Sequence, residues 1–184
     1  MLNALIDWLK QRFLGSPRAP AASPFPLRSG PARLLILRHA EKTGEKSDPH
    51  LSAKGAERAE RLARYIPQTF GKPDFLMAAK SSKRSRRPVE TLEPLAAATG
   101  LTINGEFDDE DVRELVEELG QNPSVAGKFG VVSWRHSDIP RLLAELGSPA
   151  GSYPDPWGEG VYDLMFELEF LGSAPPRVHQ VRMP

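Results

Sequence analysis

The chain of 184 residues contains no cysteine. That excludes a disulfide scaffold, a thiolate zinc site and a cysteine nucleophile. The lack of disulfide chemistry fits a cytoplasmic protein. No excess of one charge is present either, with 24 Lys and Arg against 24 Asp and Glu. A general nucleic-acid binder or a protein that clings to anionic membranes shows a basic surplus, so neither partner is expected. Long apolar runs are also missing, and no segment reads as a bilayer span. What remains is enough chain for one domain with a sizeable core.

The first 31 residues differ from the rest. "MLNALIDWLKQRFLG" places Leu2, Ile6, Leu9 and Phe13 at helical spacing, which predicts an amphipathic helix over residues 1–14. Its polar face is not strongly basic, so packing on its own domain or a partner is favoured over a membrane anchor. Residues 15–31, "GSPRAPAASPFPLRSGP", predict a Pro-rich linker of extended character. The folded domain is expected over 32–184.

Within that domain, strand and helix patterns alternate. Residues 33–37, 74–79, 101–104 and 129–134 read as strands. Helices are expected in "LSAKGAERAERLARYI", "RPVETLEPLAAATG", "DDEDVRELVEELG" and "IPRLLAELG". In the first of these Ser52 is the expected N-cap, with Ala56, Ala59, Leu62, Ala63 and Ile66 on the inner face. In the second, Val89, Leu92, Leu95 and Ala96 point inward and Gly100 is the stop. "VYDLMFELEF" and "RVHQV" predict a C-terminal antiparallel hairpin. The fold class is α/β: a three-layer α/β/α arrangement with a mostly parallel central sheet.

In such sheets, ligands bind beyond the carboxyl ends of the strands. Arg38 and His39 stand at the end of the first strand, in "LLILRHAEK". His136 stands just past another, in "VVSWRHSDI", and Arg87 follows the second strand at the mouth of a helix. Two histidines and at least two arginines from three strand ends are therefore expected to converge on one crevice. Guanidinium forks match phosphate oxygens. A neutral imidazole is a nucleophile, and nearby guanidinium charge favours its neutral form. A second imidazole can donate to a phosphoryl oxygen. Arginines that neutralise a phosphoryl group remove the need for a metal or other cofactor.

These segments resemble the motifs of the histidine phosphatase superfamily, which includes the cofactor-dependent phosphoglycerate mutases. "LLILRHAEK" is similar to its Arg-His-Gly signature, with Ala40 in place of the usual glycine. "HLSAKGAERAERLARYI" resembles the Leu-Thr-x-x-Gly-x-x-Gln-Ala helix start, and "RPVET" the Arg-Ala-x-Gln-Thr segment. "VVSWRHSDI" occupies the place of the strand that ends in the second catalytic histidine. The likeness covers residues 33–147.

It implies a phosphatase in which His39 is phosphorylated and Arg38, Arg87 and His136 complete the phosphate pocket. The substrate class implied is a small phosphorylated molecule or a phosphoprotein, phosphohistidine included. The short stretch between Arg87 and His136 lacks the insertion that supplies the mutases' general acid. That places the chain nearer the small bacterial phosphohistidine phosphatases. Glu106 and Asp108, in "NGEFDDED", are the candidate acids, or they only cap the next helix. Arg135 either adds charge to the pocket or points away. His50 and His179 read as structural or solvated, with His50 in a loop that could reach the site. The basic run "KSSKRSRRP" reads as a phosphate-binding rim. A non-catalytic protein that binds a phosphorylated partner through the same pocket is the alternative function.

Overall fold

A computed structural model describes residues 30–45, 47–172 and 174–183. The helix expected over 1–14 and nearly all of the linker expected over 15–31 lie outside these residues.

Six strands form one sheet: β1 (Arg33–Arg38), β2 (Phe75–Ala78), β3 (Ile103–Asn104), β4 (Phe129–Trp134), β5 (Leu164–Glu169) and β6 (Arg177–Arg182). Their spatial order is β3-β2-β4-β1-β5-β6. The first four run parallel, and β5 and β6 add an antiparallel pair along the β1 edge. Helices α1 (Ala53–Phe70), α2 (Arg87–Thr99) and α3 (Val112–Gln121) lie between the parallel strands in sequence, and α4 (Ile139–Glu145) lies between β4 and the antiparallel β5.

The four aliphatic residues of β1 explain the layering. Leu34 and Ile36 pack into a core with Val112, Leu115, Leu142 and Leu143, from α3 and α4. Leu35 and Leu37 pack into the opposite core with Leu62, Ile66, Leu92 and Leu95, from α1 and α2. Successive side chains of a strand point to opposite faces. An unbroken apolar run therefore forces cover on both sides, here two helices on each. The α/β/α expectation is met, as is the C-terminal hairpin.

Registers then align the strand ends. Arg38 pairs with Trp134, and Ala78 with Ser133. The His39 N–H donates to the Trp134 carbonyl (3.0 Å). The residues just after β1, β2 and β4 thus share one edge of the sheet.

Several local expectations change. Helix α1 continues through Pro67 to Phe70, and Ala56 is exposed while Gly55 is buried. The reason is a close approach: the segment after His39 runs across the start of α1. A Cβ on Gly55 would lie 2.3 Å from the Glu41 carbonyl oxygen. Ser52 is the N-cap as expected, its Oγ accepting from the Gly55 N–H (3.1 Å). The Ser52 N–H also donates to the Glu41 carbonyl (2.9 Å). The buried Glu41 carboxylate receives both arms of the Arg58 guanidinium, at 2.9 and 2.7 Å. Val89 and Ala96 of α2 are partly buried against the core, and Gly100 ends the helix at φ 76°. Helix α3 starts at Val112, so residues 108–111 form turns before it. The first strand of the hairpin begins only at Leu164, and residues 161–163 belong to a loop.

Gly55→Ala drives a methyl into the Glu41 backbone and should cost roughly 1–3 kcal/mol. Urea denaturation beside the wild type measures this, and an unchanged midpoint would show that the two segments separate freely.

Candidate active site

Arg38 is 1% exposed, although it carries a full charge. Its Nη1 donates to the carbonyls of Gly158 (3.3 Å), Glu159 and Val161 (3.1 Å). The guanidinium carbon lies 3.9 Å from the centre of the Tyr162 ring, a cation–π contact. Nε and Nη2 are buried and have no partner among the described residues. The clamp thus consumes one nitrogen and leaves the two-pronged side edge of the guanidinium bare. That edge has the geometry of an oxyanion receptor. Such an orphaned pair costs free energy in a purely structural role.

The clamp is itself anchored. Trp157 is buried against Phe166 of β5, their ring centroids 5.7 Å apart. Its Nε1 donates to the same Val161 carbonyl that holds Arg38 (3.0 Å).

His39 is 4% exposed. Its Nδ1 lies 2.7 Å from the Ala40 carbonyl. A carbonyl only accepts, so Nδ1 carries the proton and Nε2 keeps its lone pair. Burial pushes the imidazole pKa down to about 3, aided by the charges of Arg38 and Arg87. The ring is therefore neutral at physiological pH. Ala40, in the place of a glycine, is fully buried. No described non-glycine residue has positive φ, so the substitution brings no backbone strain.

Arg87 opens α2. Its Nη1 donates to the Asp48 carbonyl (2.9 Å), and its buried Nε has no partner among the described residues. Thr91, one turn on and fully buried, links the two halves of the site. Its Oγ1 donates to the Arg87 carbonyl (2.7 Å) and accepts from the Ala40 N–H (2.9 Å). His136 follows β4, and its buried Nδ1 is also without a partner among the described residues. Burial lowers its pKa, and the charges of Arg38 and Arg135 add to the effect.

These four side chains line one cleft of about 490 Å³. The sheet edge thus brings Arg38, His39, Arg87 and His136 together. The two candidate acids separate. Asp108 lines the cleft, its Oδ2 3.9 Å from Lys80 Nζ. Glu106 is exposed and outside the lining, its N–H donating to Asn104 Oδ1 (3.0 Å) in the turn after β3. Neither caps α3, whose N-cap position is Asp111. Arg135 lines the cleft with its charge matched by Asp109 Oδ2 (2.7 Å). His50 is paired with Glu90 away from the cleft, and His179 is exposed on β6.

Sequence reasoning missed Tyr162, Trp157 and the role of Thr91. Thr91 stands in "RPVET", where the motif itself was the available signal. Tyr162 lies in "VYDLMFELEF", whose strand-like pattern concealed a loop.

No protein-family model matches the chain, and no curated protein sequence does. Solved structures match it by fold. The protein histidine phosphatase SixA complexed with tungstate superposes at a TM-score of 0.59 with 17% identity, covering 82% of this chain and 96% of that one. For SixA from Nakamurella multipartitia the TM-score is 0.57 with 20% identity, over 85% and 98% of the two chains. Mycobacterial glucosyl-3-phosphoglycerate phosphatase gives 0.55 with 18% identity, over 82% and 97%. The chain has the histidine phosphatase fold, and the likeness read from its motifs is borne out at that level.

The His39 environment makes a prediction about stability. Its folded-state pKa lies below the ordinary value of 6.5. As pH falls from 6.5 toward 3, the unfolded chain takes up a proton that the folded chain refuses. Stability is therefore full above 6.5 and declines through that window. His39→Asn should show a shallower decline than the wild type in urea midpoints across it. Parallel profiles would mean that the buried ring accepts a proton in the fold.

Proposed function

We propose that this protein is a phosphatase that hydrolyses phosphorylated substrates through a phosphoryl group carried on His39. The observation that carries the reading is one juxtaposition: a buried imidazole with a bare Nε2 beside a buried guanidinium with a bare two-pronged edge. The fold shared with solved phosphatases supports it. So do the oxyanions in two of those neighbours: tungstate in SixA and VO3 in the mycobacterial glucosyl-3-phosphoglycerate phosphatase.

In this reading Arg38 and Arg87 receive the phosphoryl oxygens. The His39 Nε2 lone pair attacks phosphorus, a P–N bond forms, and the bond to the leaving group breaks. The Nδ1 proton stays on the ring, where the Ala40 carbonyl stabilises the positive charge that develops. His136 donates to a phosphoryl oxygen in the transition state. Water then attacks phosphorus and gives a proton to the Asp108 carboxylate, which lost its own to the leaving group; the P–N bond breaks, and phosphate leaves with His39 neutral again. Neutralising charge comes from guanidinium groups that would repel a bound cation, so no metal takes part. Asp108 serves as leaving-group acid. A phosphoramidate such as phosphohistidine arrives with a leaving nitrogen that protonates readily, and it depends on that acid least.

Brief mixing with a phosphorus-labelled substrate tests the path. A P–N bond to imidazole survives alkali and breaks in acid, so an alkaline quench should retain label on the protein and an acid quench should release it. His39→Ala should retain none and lose turnover. His136→Ala should slow turnover by about 10²–10³-fold. Acid-stable label, or turnover preserved in His39→Ala, would place the nucleophile elsewhere. Tight phosphate binding without turnover or label would favour a binding protein.

A further inference from the structure

The cleft exceeds the phosphoryl group. At about 490 Å³ it falls in the range that encloses a whole small ligand, ~300–1,000 Å³. The body of that ligand must suit the walls, and the walls are polar. Ala79 and Pro88 are the only apolar side chains among the described residues lining it. Among the described residues no Phe, Tyr or Trp lines it, so a nucleobase or aryl group finds no large ring to stack on there.

The charges divide into paired and unpaired sets. Four carboxylates among the described residues line the cleft. Asp109 is held by Arg135, whose charge Glu110 also answers. Asp108 faces Lys80, and Asp111 Oδ2 accepts from the Asp108 N–H (3.0 Å). Lys42 and Arg84 also line the cleft, and neither has a carboxylate within ion-pair distance among the described residues. Lys42 is close enough to His136 for its charge to help keep that imidazole neutral.

Arg84 sits on a preformed loop. Residues 80–86 are fixed at one end by the Lys80 N–H on the Phe107 carbonyl (2.7 Å). The other end is fixed by the Arg86 N–H on the Pro49 carbonyl (2.8 Å). In between, Ser82 Oγ accepts from the N–H groups of Arg84 and Ser85, both at 3.2 Å. The loop sorts its cations: Lys80 and Arg84 line the cleft, whereas Lys83 and Arg86 line a separate depression beside His50.

We infer that the cleft takes a polar substrate bearing a second anionic group, phosphate or carboxylate, and that Lys42 and Arg84 receive it. The inference deepens the phosphatase reading and rests on it for which group is cleaved.

Matched pairs test it. A hexose monophosphate is compared with the corresponding bisphosphate, and glycerol phosphate with its carboxylate analogue. Each pair is measured by kcat/KM in the wild type and by equilibrium binding to His39→Ala. The doubly anionic member should be preferred by about tenfold, mainly through KM. The pair that shows the larger preference identifies phosphate or carboxylate. Arg84→Gln should bring the ratio toward one. Lys83→Gln makes the same charge change on the far side of the loop and should keep the wild-type ratio. A wild-type ratio near one in both pairs overturns the inference, as does an equal loss in both variants, which would mean a diffuse field. Absent turnover would count against the phosphatase reading, while the binding ratios would still decide the second-anion site.

Discussion

A guanidinium withdrawn from water at the end of a buried strand must have its charge answered by something other than solvent. For Arg38 the answer is three carbonyl dipoles and an aromatic face. Among the described residues no carboxylate is hydrogen-bonded to it, and that choice matters. A bidentate Asp or Glu would satisfy the group and close it to any other anion. Carbonyls stabilise the charge without cancelling it, and they occupy only one nitrogen. The rest of the site depends on this partial satisfaction: it leaves a net positive, oriented and desolvated fork beside His39.

The clamp draws on chain far from Arg38 in sequence, and the surrounding loops are tied just as indirectly. Thr91 joins the backbone after His39 to the start of α2, and hence to Arg87. Gly55 and Ser52 press the same segment onto α1. Glu41, beside them, spends its carboxylate on Arg58 rather than on the arginine of the cleft. The histidine and both arginines are therefore positioned by backbone contacts that the cores beneath the sheet hold still.

How much of this could be read from sequence follows from the range of each interaction. The buried strands were legible because an apolar run with helices before and after it has few other solutions; "FGVVSW" became β4 without a shift. The placement of Arg38, His39, Arg87 and His136 on one edge followed from strand ends alone. Gly55 in place of Ala56 was not legible, because helical periodicity says nothing of a neighbouring backbone. The loop at residues 161–163 alternates like a strand but spends its carbonyl on Arg38, a contact more than a hundred residues away. Glu106 and Asp108 were equivalent by composition, and only the turn before α3 separates them.

The contact between His39 Nδ1 and the Ala40 carbonyl also has a stereochemical consequence. An imidazole offers two nitrogens, and free histidine can be modified at either. Here the near nitrogen is committed to the backbone of the next residue. Moving the proton to Nε2 would trade that hydrogen bond for a repulsion between the Nδ1 lone pair and the carbonyl oxygen. Any electrophile that the ring accepts is therefore accepted at the far nitrogen. The fold chooses between two regioisomers through one backbone oxygen, before a substrate arrives.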